Sequence, residues 1–337
     1  MTTTSWSRRC RRALGLAIAV TLLSAVPAAA RPAGPARPAA PERAGAAASL
    51  PVPYGYAGFL AAGANFLAHP GGAPTGANDW SCQPSAAHPN PVVLVHGASA
   101  NMTVNWETLS PLLKNNGYCV FALTYGVPAG TPFPVDQIGG RNPMEESAAE
   151  LGGFVDQVLA ATGASEVDIV GHSEGSLMPN YYVKFLGGAS KVRKYVGLTP
   201  LWNGSNVAFV ANLLAFARAI GLGDLVDQIG DAVFPAALQF VRGSDFLAKM
   251  NEGGGPAVAG VDYTMVLTKY DEAVVPYTSG LMDAPNAKNV VLQKICPLDF
   301  SGHGMVAFSR NTAQVVLNAL DPAHAKPFVC FFVAPAP

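Results

Sequence analysis

The chain has 337 residues, of which 50% are hydrophobic and only 13% are Asp, Glu, Lys or Arg. Half of the chain can therefore build a core, which excludes intrinsic disorder, and the low charge excludes a coiled coil. The formal net charge is -1, but the first thirty residues hold four of the 21 basic residues and none of the 22 acidic ones. The remaining body has 17 basic and 22 acidic residues, a balance of -5 that does not favour binding to nucleic acid.

The first thirty residues have the three parts of a secretory signal peptide. An arginine-rich run ends at Arg12, residues 13–26 are apolar, and three alanines at residues 28–30 supply small side chains for cleavage after Ala30. The apolar run is shorter than the roughly 20 residues that a membrane-spanning helix needs, and no later stretch reaches that length. The sequence therefore predicts a secreted protein whose mature chain has no transmembrane segment.

Residues 31–50 are mostly Ala, Pro, Gly and Arg. A segment of this composition cannot bury enough apolar surface to order itself, so we expect a linker or pro-segment. Residues 51–337 then remain, a length that suits a single α/β domain.

Short apolar runs rich in β-branched residues alternate with helical patterns along this domain. Each run is a candidate strand, buried on both faces of a parallel sheet. Between the second and third runs, Asn142 and Pro143 predict the start of a helix and Gly163 predicts its end. Strands that alternate with helices indicate an α/β fold with a mostly parallel central sheet and helices on both faces. The six predicted strands are residues 92–96, 119–125, 167–170, 194–198, 263–267 and 289–295.

A Gly-x-Ser-x-Gly motif formed by Gly171, Ser173 and Gly175 follows the third predicted strand and precedes a predicted helix at residues 178–186. A serine on a sharp strand-to-helix turn projects its hydroxyl above the sheet, and the two glycines let the neighbouring backbone pack closely. The motif therefore predicts that Ser173 is a nucleophile. The alternative is a glycine-rich turn in which Ser173 only caps the following helix.

A serine hydroxyl becomes reactive when an imidazole takes its proton and a carboxylate fixes that imidazole. Of the six histidines, His303 lies in a Ser-Gly-His-Gly stretch just after the last predicted strand. Loops at the carboxyl ends of parallel strands form the active sites of such sheets, so His303 is the predicted general base. His172 neighbours Ser173 in sequence, but its side chain should point away from that of Ser173.

The acid should follow an earlier strand, and Asp271 lies just past the fifth predicted one. The resulting order along the chain, Ser then Asp then His, is that of the α/β-hydrolases. Three other acids compete for the role. Glu272 is adjacent, Asp283 lies in a later loop, and Asp299 precedes His303 by four residues.

Acyl transfer also needs hydrogen-bond donors where a tetrahedral oxyanion forms. The backbone N–H of Glu174, the residue after the nucleophile, is one predicted donor. The other is the N–H of Ala98, in the loop after the first predicted strand, where Gly97 permits the turn. The acidic side chain of Glu174 would oppose an oxyanion, so we expect it to turn away and only its N–H to contribute.

Four cysteines remain once Cys10 leaves with the signal peptide, an even number that suits an oxidising compartment. None of the four lies in a C-x-x-C pair, which disfavours zinc, and no metal or other cofactor is predicted. Four cysteines allow three pairings. We favour the pairs nearest in the chain, which are Cys82 with Cys119 and Cys296 with Cys330.

Taken in chain order, the segments HGAS, GHSEG, TKYDEAVVP and SGHG resemble the α/β-hydrolase superfamily. The segments NDWSCQPSAAHPNPVVLVHG and NWETLSPLLKNNGYCVFALTYG more closely resemble the secreted class 2 lipases of actinomycete bacteria, with a more distant likeness to Candida antarctica lipase B. This resemblance implies a catalytic triad of Ser173, Asp271 and His303, oxyanion donors at Ala98 and Glu174, and the two disulfides favoured above. Lipase B has a threonine at the position of Ala98, so its extra hydroxyl donor is missing here.

Residues 201–255, between the fourth and fifth predicted strands, form a long connection with strongly apolar helical patterns. Such an insertion above the triad would serve as a lid or acyl pocket, although two ordinary core helices would give the same pattern. The sequence thus favours a secreted serine lipase or carboxylesterase. Its expected partners are lipid or small ester substrates, including triacylglycerols, and transiently the lipid–water interface. Alternatives are an acyltransferase or polyester-type esterase on the same scaffold, or a non-catalytic lipid-binding protein.

Overall fold

The computed structural model describes residues 49–206 and 235–335. The signal peptide predicted at residues 1–30, nearly all of the linker predicted at 31–50, and residues 207–234 of the predicted insertion lie outside these ranges. The described residues belong to one unit, Ala48–Pro337. Within them, no helix combines the length and the apolar character that crossing a membrane requires.

A single six-stranded sheet organises the domain, and every neighbouring pair of strands is parallel. The strands lie in the order β2-β1-β3-β4-β5-β6. The carboxyl ends of all six strands therefore meet at one edge, where loops can bring distant residues together. This sheet confirms the predicted α/β class. The strands are Val92–Val95 (β1), Val120–Leu123 (β2), Val167–His172 (β3), Val192–Leu198 (β4), Asp262–Leu267 (β5) and Ala287–Val291 (β6).

The sixth strand is shorter than predicted and begins earlier. The sequence predicted it at residues 289–295, whereas β6 is Ala287–Val291. It ends at Val291, which pairs with Leu267, the last residue of β5. Beyond that point the strand has no partner, and Leu292–Ile295 closes a short helical turn in which the N–H of Cys296 donates to the carbonyl of Leu292 at 2.7 Å.

Helices cover both faces of the sheet, as the alternating pattern predicted. Val93 and Val95 of β1 face a core shared with α4 and α5, whereas Val92 and Leu94 face a second core shared with α2, α3 and α9. The described helices are Tyr56–Ala68 (α1), Met102–Trp106 (α2), Leu109–Asn115 (α3), Met144–Thr162 (α4), Met178–Phe185 (α5), Pro235–Gln239 (α6), Asp245–Met250 (α7), Leu292–Ile295 (α8) and Arg310–Leu320 (α9).

Helix α4 starts one residue later than the predicted cap would place it. Pro143, rather than Asn142, is the N-cap residue, because Pro143 has a non-helical ψ of 137° and the first helical residue is Met144. Glu145 and Glu146 lie in the first turn, where the helix dipole favours acids. Gly163 ends the helix in the left-handed conformation with φ 69°, as predicted.

The described end of the 201–255 insertion is anchored to the start of α4. The N–H of Met144 donates to Oε1 of Gln239 at 2.7 Å, and Nε2 of Gln239 donates to Glu145 at 2.6 Å. Leu247 and Met250 of α7 are buried in the core that α4 and α5 share. This part of the insertion therefore packs as ordinary core, while a lid role for residues 207–234 stays a prediction.

The C-terminal segment is held in place by side chains of α9. Asn311, Gln314 and Asn318 each use their amide groups on the backbone of residues 326–331. Further on, the N–H of Val333 donates to the carbonyl of Leu298 at 3.0 Å, and the carbonyl of Val333 accepts from the N–H of Phe300 at 2.9 Å. The end of the chain therefore braces the segment that leads to His303.

Two disulfides join Cys82 to Cys119 and Cys296 to Cys330, the pairs that the sequence favoured. The first ties the segment before β1 to the residue that precedes β2. The second ties the end of α8 to the C-terminal segment.

Candidate active site

Ser173 follows β3 directly and begins a tight turn, Ser173–Ser176, that leads towards α5. Its φ is 55°, a left-handed conformation that a residue with a side chain adopts only where its surroundings enforce it. A Cβ on Gly171 would lie 1.7 Å from the carbonyl oxygen of Gly175, and a Cβ on Gly175 would lie 2.1 Å from the carbonyl oxygen of Val95. Both motif positions therefore require glycine. The alternative, in which Ser173 only caps the following helix, does not fit, because the N-cap of α5 is Leu177.

The imidazole of His303 lies between the side chains of Ser173 and Asp271. Its Nε2 is 2.8 Å from Oγ of Ser173, and its Nδ1 is 2.9 Å from Oδ1 of Asp271. Ser173 and His303 are only 3% and 6% exposed. The three residues come from loops after β3, β5 and β6, so the shared carboxyl edge of the parallel strands explains how they meet.

The Asp271 carboxylate is itself fixed by backbone donors. The N–H groups of Ala273 and Val274 donate to its Oδ1 at 3.0 and 2.7 Å. Because the same oxygen faces Nδ1 of His303, that nitrogen must carry the proton, which leaves Nε2 free to accept one from Ser173.

The other acids that the sequence offered have different surroundings. Glu272 accepts a hydrogen bond from the backbone N–H of His303 at 2.9 Å. Asp299 is fully buried and accepts from the Ser301 N–H and hydroxyl at one oxygen, and from Ser309 and Asn311 at the other. Asp299 therefore shapes the loop that carries His303. Asp283 is exposed.

The charges around His303 favour its protonated form. Burial alone would lower its pKa, but the Asp271 carboxylate, aided by Glu272, outweighs burial and raises the pKa of His303 above the usual histidine value. The ring is therefore well suited to hold a proton that arrives from Ser173.

The predicted oxyanion donors lie on the two segments that flank Ser173. A Cβ on Gly97 would lie 3.1 Å from Cβ of Ser173, so the loop of Ala98 packs directly on the nucleophile turn. This loop is held by Gly139, whose carbonyl accepts from the N–H of Ser99 at 3.0 Å. The N–H of Ala98 makes no hydrogen bond within the described ranges, and that of Glu174 begins a helical turn and so has no intrahelical acceptor.

The side chain of Glu174 is fully buried, which the sequence did not predict. A Cβ on Gly140 would lie 2.7 Å from its Oε2 and 2.9 Å from Cα of Ala98, so the carboxyl packs against the segment that supports the Ala98 loop. Burial raises the pKa of Glu174 well above its usual value.

His172 and Asn105 link the segments of the site from behind. Nε2 of His172 donates to the carbonyl of His303 at 2.9 Å, and Nδ1 lies 3.0 Å from Oδ1 of Asn105. The same Asn105 oxygen accepts from the N–H of Gly97 at 3.2 Å. Burial and the neighbouring His303 lower the pKa of His172 to about 3, so this ring stays neutral: its single N–H donates to the His303 carbonyl, and Nδ1 has no proton to donate to Asn105. Asn105 belongs to no motif, and only its contacts in the fold mark it.

His96, which directly follows β1, supports the same loop. Its Nδ1 donates to the carbonyl of Gly97 at 2.7 Å, and its Nε2 accepts from the N–H of Tyr125 at 3.3 Å. In the part of the chain that the structure describes, no group of three or more His, Cys, Asp or Glu side chains could hold a metal ion.

Comparisons with known proteins match the chain to lipases. A family model described as Lipase (class 2) matches residues 89–316, about two thirds of the chain. Triacylglycerol lipases of Pseudarthrobacter phenanthrenivorans and Burkholderia plantarii are each 36% identical to this chain over 101 residues. That match covers 28% of this chain and 28% and 25% of the two relatives, so it spans about a quarter of their length.

Solved structures share the fold. Lipase B of Aspergillus fumigatus superposes with a TM-score of 0.54 at 17% identity, over 77% of this chain and 57% of that chain. The mature form of the Bacillus licheniformis lipase BlEst2 gives a TM-score of 0.50 at 14% identity, over 71% of this chain and 94% of that chain. The parallel sheet, the nucleophile turn and the family match lead to one conclusion: the chain belongs to the class 2 lipases of the α/β-hydrolase superfamily.

Proposed function

We propose that the protein is a secreted serine lipase or carboxylesterase that hydrolyses acyl esters, including triacylglycerols, through an acyl-enzyme intermediate. The continuous contact from Ser173 through His303 to Asp271, at 2.8 and 2.9 Å, carries this proposal. The family match and the triacylglycerol lipase relatives support an ester of a fatty acid as substrate.

In the first half of the reaction, Oγ of Ser173 attacks the ester carbonyl while its proton passes to Nε2 of His303. The Asp271 carboxylate holds Nδ1–H and stabilises the imidazolium that forms. The tetrahedral intermediate then collapses, the C–O bond to the alcohol breaks, and His303 returns the proton to the leaving alcohol. The product is the acyl ester of Ser173.

In the second half, water takes the place of the alcohol. His303 accepts a proton from the water as its oxygen attacks the acyl carbonyl, and then returns the proton to Oγ of Ser173 as the fatty acid leaves. The charges that raise the pKa of His303 favour the imidazolium in both halves.

The oxyanion of each tetrahedral intermediate would be held by the backbone N–H groups of Ala98 and Glu174. Both lie on segments packed against Ser173 and its turn. Because Ala98 has no hydroxyl, this site depends on backbone donors and on the accurate placement of the Ala98 loop.

Secretion is supported by the arrangement of the first thirty residues and by the two disulfides. Disulfides persist in oxidising compartments and are rare where cellular thiols keep cysteines reduced. N-terminal sequencing of the exported protein tests the predicted cleavage after Ala30.

Labelling with an organophosphonate tests the nucleophile. We expect one phosphonyl group on Ser173 by peptide mass spectrometry, with no label in Ser173→Ala and normal label in Ser190→Ala, which changes an exposed serine. A wild-type protein that folds but takes no label would contradict catalysis and favour a lipid-binding protein.

Substrate assays distinguish hydrolysis from transfer. We expect release of free fatty acid from emulsified triglyceride and from p-nitrophenyl esters of graded chain length. If a competing alcohol in water takes most of the acyl groups, the protein is an acyltransferase on the same scaffold.

A further inference from the structure

The carboxyl group of Glu174 is buried without the partners that an ionised acid needs. The residue has 0% exposure, and neither carboxyl oxygen has a hydrogen-bond partner within residues 49–206 and 235–335. An unpaired carboxylate in such surroundings is strongly disfavoured relative to the neutral acid. The geometry therefore already favours a protonated group.

Within residues 49–206 and 235–335, the groups that face Glu174 do not supply a positive charge. The Tyr125 hydroxyl lies beside it but donates to the carbonyl of His96 at 2.9 Å. The His96 ring stacks on Tyr125 at 4.4 Å, and burial lowers the pKa of His96 to about 4, so this ring is neutral. On α4, the carboxylate of Glu150 acts on Tyr125 and adds negative charge.

Among the described residues, the guanidinium of Arg141 has other partners. Arg141 follows Gly140 in sequence, but its Nε donates to the carbonyl of Ile138 at 2.8 Å. Its Nη2 lies 3.3 Å from the hydroxyl of Thr131 and from the carbonyl of Val135. Arg141 therefore braces the loop before Gly139 and forms no ion pair with Glu174 in the described structure.

The Glu174 carboxyl touches the segment that holds the second oxyanion donor. Its Oε2 fills the space that a side chain on Gly140 would take. The neighbouring Gly139 exchanges two backbone hydrogen bonds with the Ala98 loop, from Ser99 at 3.0 Å and to Ala100 at 2.8 Å. One residue thus contributes an oxyanion N–H through its backbone and supports the other donor through its side chain.

We infer that Glu174 acts as a neutral carboxylic acid that positions the Ala98 loop against the nucleophile turn, and that its ionisation slows ester hydrolysis. This role rests on the proposed function. A carboxylate here would place negative charge next to the site where a second negative charge develops, in a region of low dielectric. It would also draw water or a counter-ion between Glu174 and Gly140, and so displace the loop.

Infrared difference spectroscopy tests the protonation state directly. At pH 7, we expect the wild-type minus Glu174→Gln spectrum to show the carbonyl stretch of a protonated carboxylic acid. The matched control is Glu146→Gln, an exposed glutamate on α4, whose difference spectrum should show only a carboxylate. A carboxylate signal from Glu174 would overturn the inference.

The pH dependence of unfolding gives a second test that needs no activity. Folding raises the pKa of this carboxyl, so the native protein keeps the proton at pH values where the unfolded chain has lost it. The free energy of unfolding therefore falls as the pH rises above the pKa of Glu in the unfolded chain, near 4.3. Relative to Glu174→Gln, the folded-to-unfolded ratio of the wild type should fall by up to about tenfold per pH unit until the native carboxyl ionises. Burial also raises the pKa of Asp168, to about 6, but both proteins share that effect. Parallel curves for the two proteins would contradict a neutral Glu174.

Kinetics separate positioning from a merely structural role. Glu174→Ala should lower kcat by about 10- to 100-fold with little change in KM, because it misplaces an oxyanion donor. Glu174→Gln should recover much of that loss and keep its rate at alkaline pH, where the wild type slows. Equal losses in both variants, or the same alkaline decline, would overturn the inference. Failure of Ser173 to take phosphonate would instead sink the proposed function, while the infrared and unfolding results would still stand.

Discussion

Glu272 accepts a hydrogen bond from the backbone N–H of His303 at 2.9 Å, so one carboxylate holds the backbone of His303 while its neighbour Asp271 holds the ring. A Cβ on Gly302 would lie 2.5 Å from the Glu272 carboxylate, which explains the glycine before His303. Two consecutive acids thus fix one histidine from two directions.

Replacing Glu272 by Gln should shift the pH dependence without removing activity. The Glu272 charge helps to raise the pKa of His303, so its loss lowers that pKa. Because the base must be neutral to act, the acidic limb of kcat/KM should move to lower pH, by up to about one unit at low salt, since an exposed carboxylate is screened. A pH–rate profile on a soluble ester measures the shift, and an unmoved limb at low salt would exclude the electrostatic role.

Asp271→Asn should lower the activity, whereas Asp299→Asn should lower the stability of the fold. The first loses the oxygen that orients His303 and should lower kcat by about 10⁴-fold with little change in stability. The second places an amide N–H₂ against the donors Ser309 and Asn311, and should cost roughly 1.5–3 kcal/mol of unfolding free energy. Urea unfolding and ester kinetics on both variants check this. If Asp299→Asn were the inactive, stable one, the two assignments would have to be exchanged.

Asn105→Ala should slow catalysis because the Ala98 loop loses a support. Its Oδ1 holds the N–H of Gly97 and faces His172, so its removal frees the loop that carries Ala98. We expect kcat to fall roughly 10- to 100-fold, less than the loss of a whole donor costs, while KM changes little. Asn116→Ala, at the exposed end of α3, is the matched control. A normal kcat in Asn105→Ala would show that the loop needs no such support.

Replacing Cys296 and Cys330 by Ser should lower stability by about 2–4 kcal/mol. This disulfide holds the segment that Asn311 also contacts, next to the His303 loop. Activity in this variant should therefore decline at a lower urea concentration than global unfolding. In the Cys82 and Cys119 double variant, activity and fold should be lost together, and identical behaviour of the two variants would contradict a local effect on His303.

The contacts of Ser173, Asp271 and His303 were predictable because each residue follows a strand of a parallel sheet. Once the strands are known, their carboxyl ends must share an edge, and motif spacing supplies the rest. Chain order cannot distinguish Asp271 from Glu272, because both lie past the end of β5, and the resemblance to the lipases is what favoured Asp271.

Other features depend on packing that a pattern cannot report. The run from Asn289 to Ile295 has a short apolar centre, Val290–Leu292, and a short apolar run suits a strand and a helical turn equally. Strand β6 ends at Val291 because its partner strand β5 ends at Leu267. Likewise, Asn105 meets His172 across 67 residues, and the burial of Glu174 depends on Gly140 and Tyr125, neither of which a motif connects to it.

The pairing of Val333 with Leu298 and Phe300 has a consequence for biosynthesis. The stretch that carries His303 gains these two hydrogen bonds only when Val333, thirty residues downstream of His303, is present. Nascent chains, and products of premature termination before residue 333, should therefore be inert towards esters.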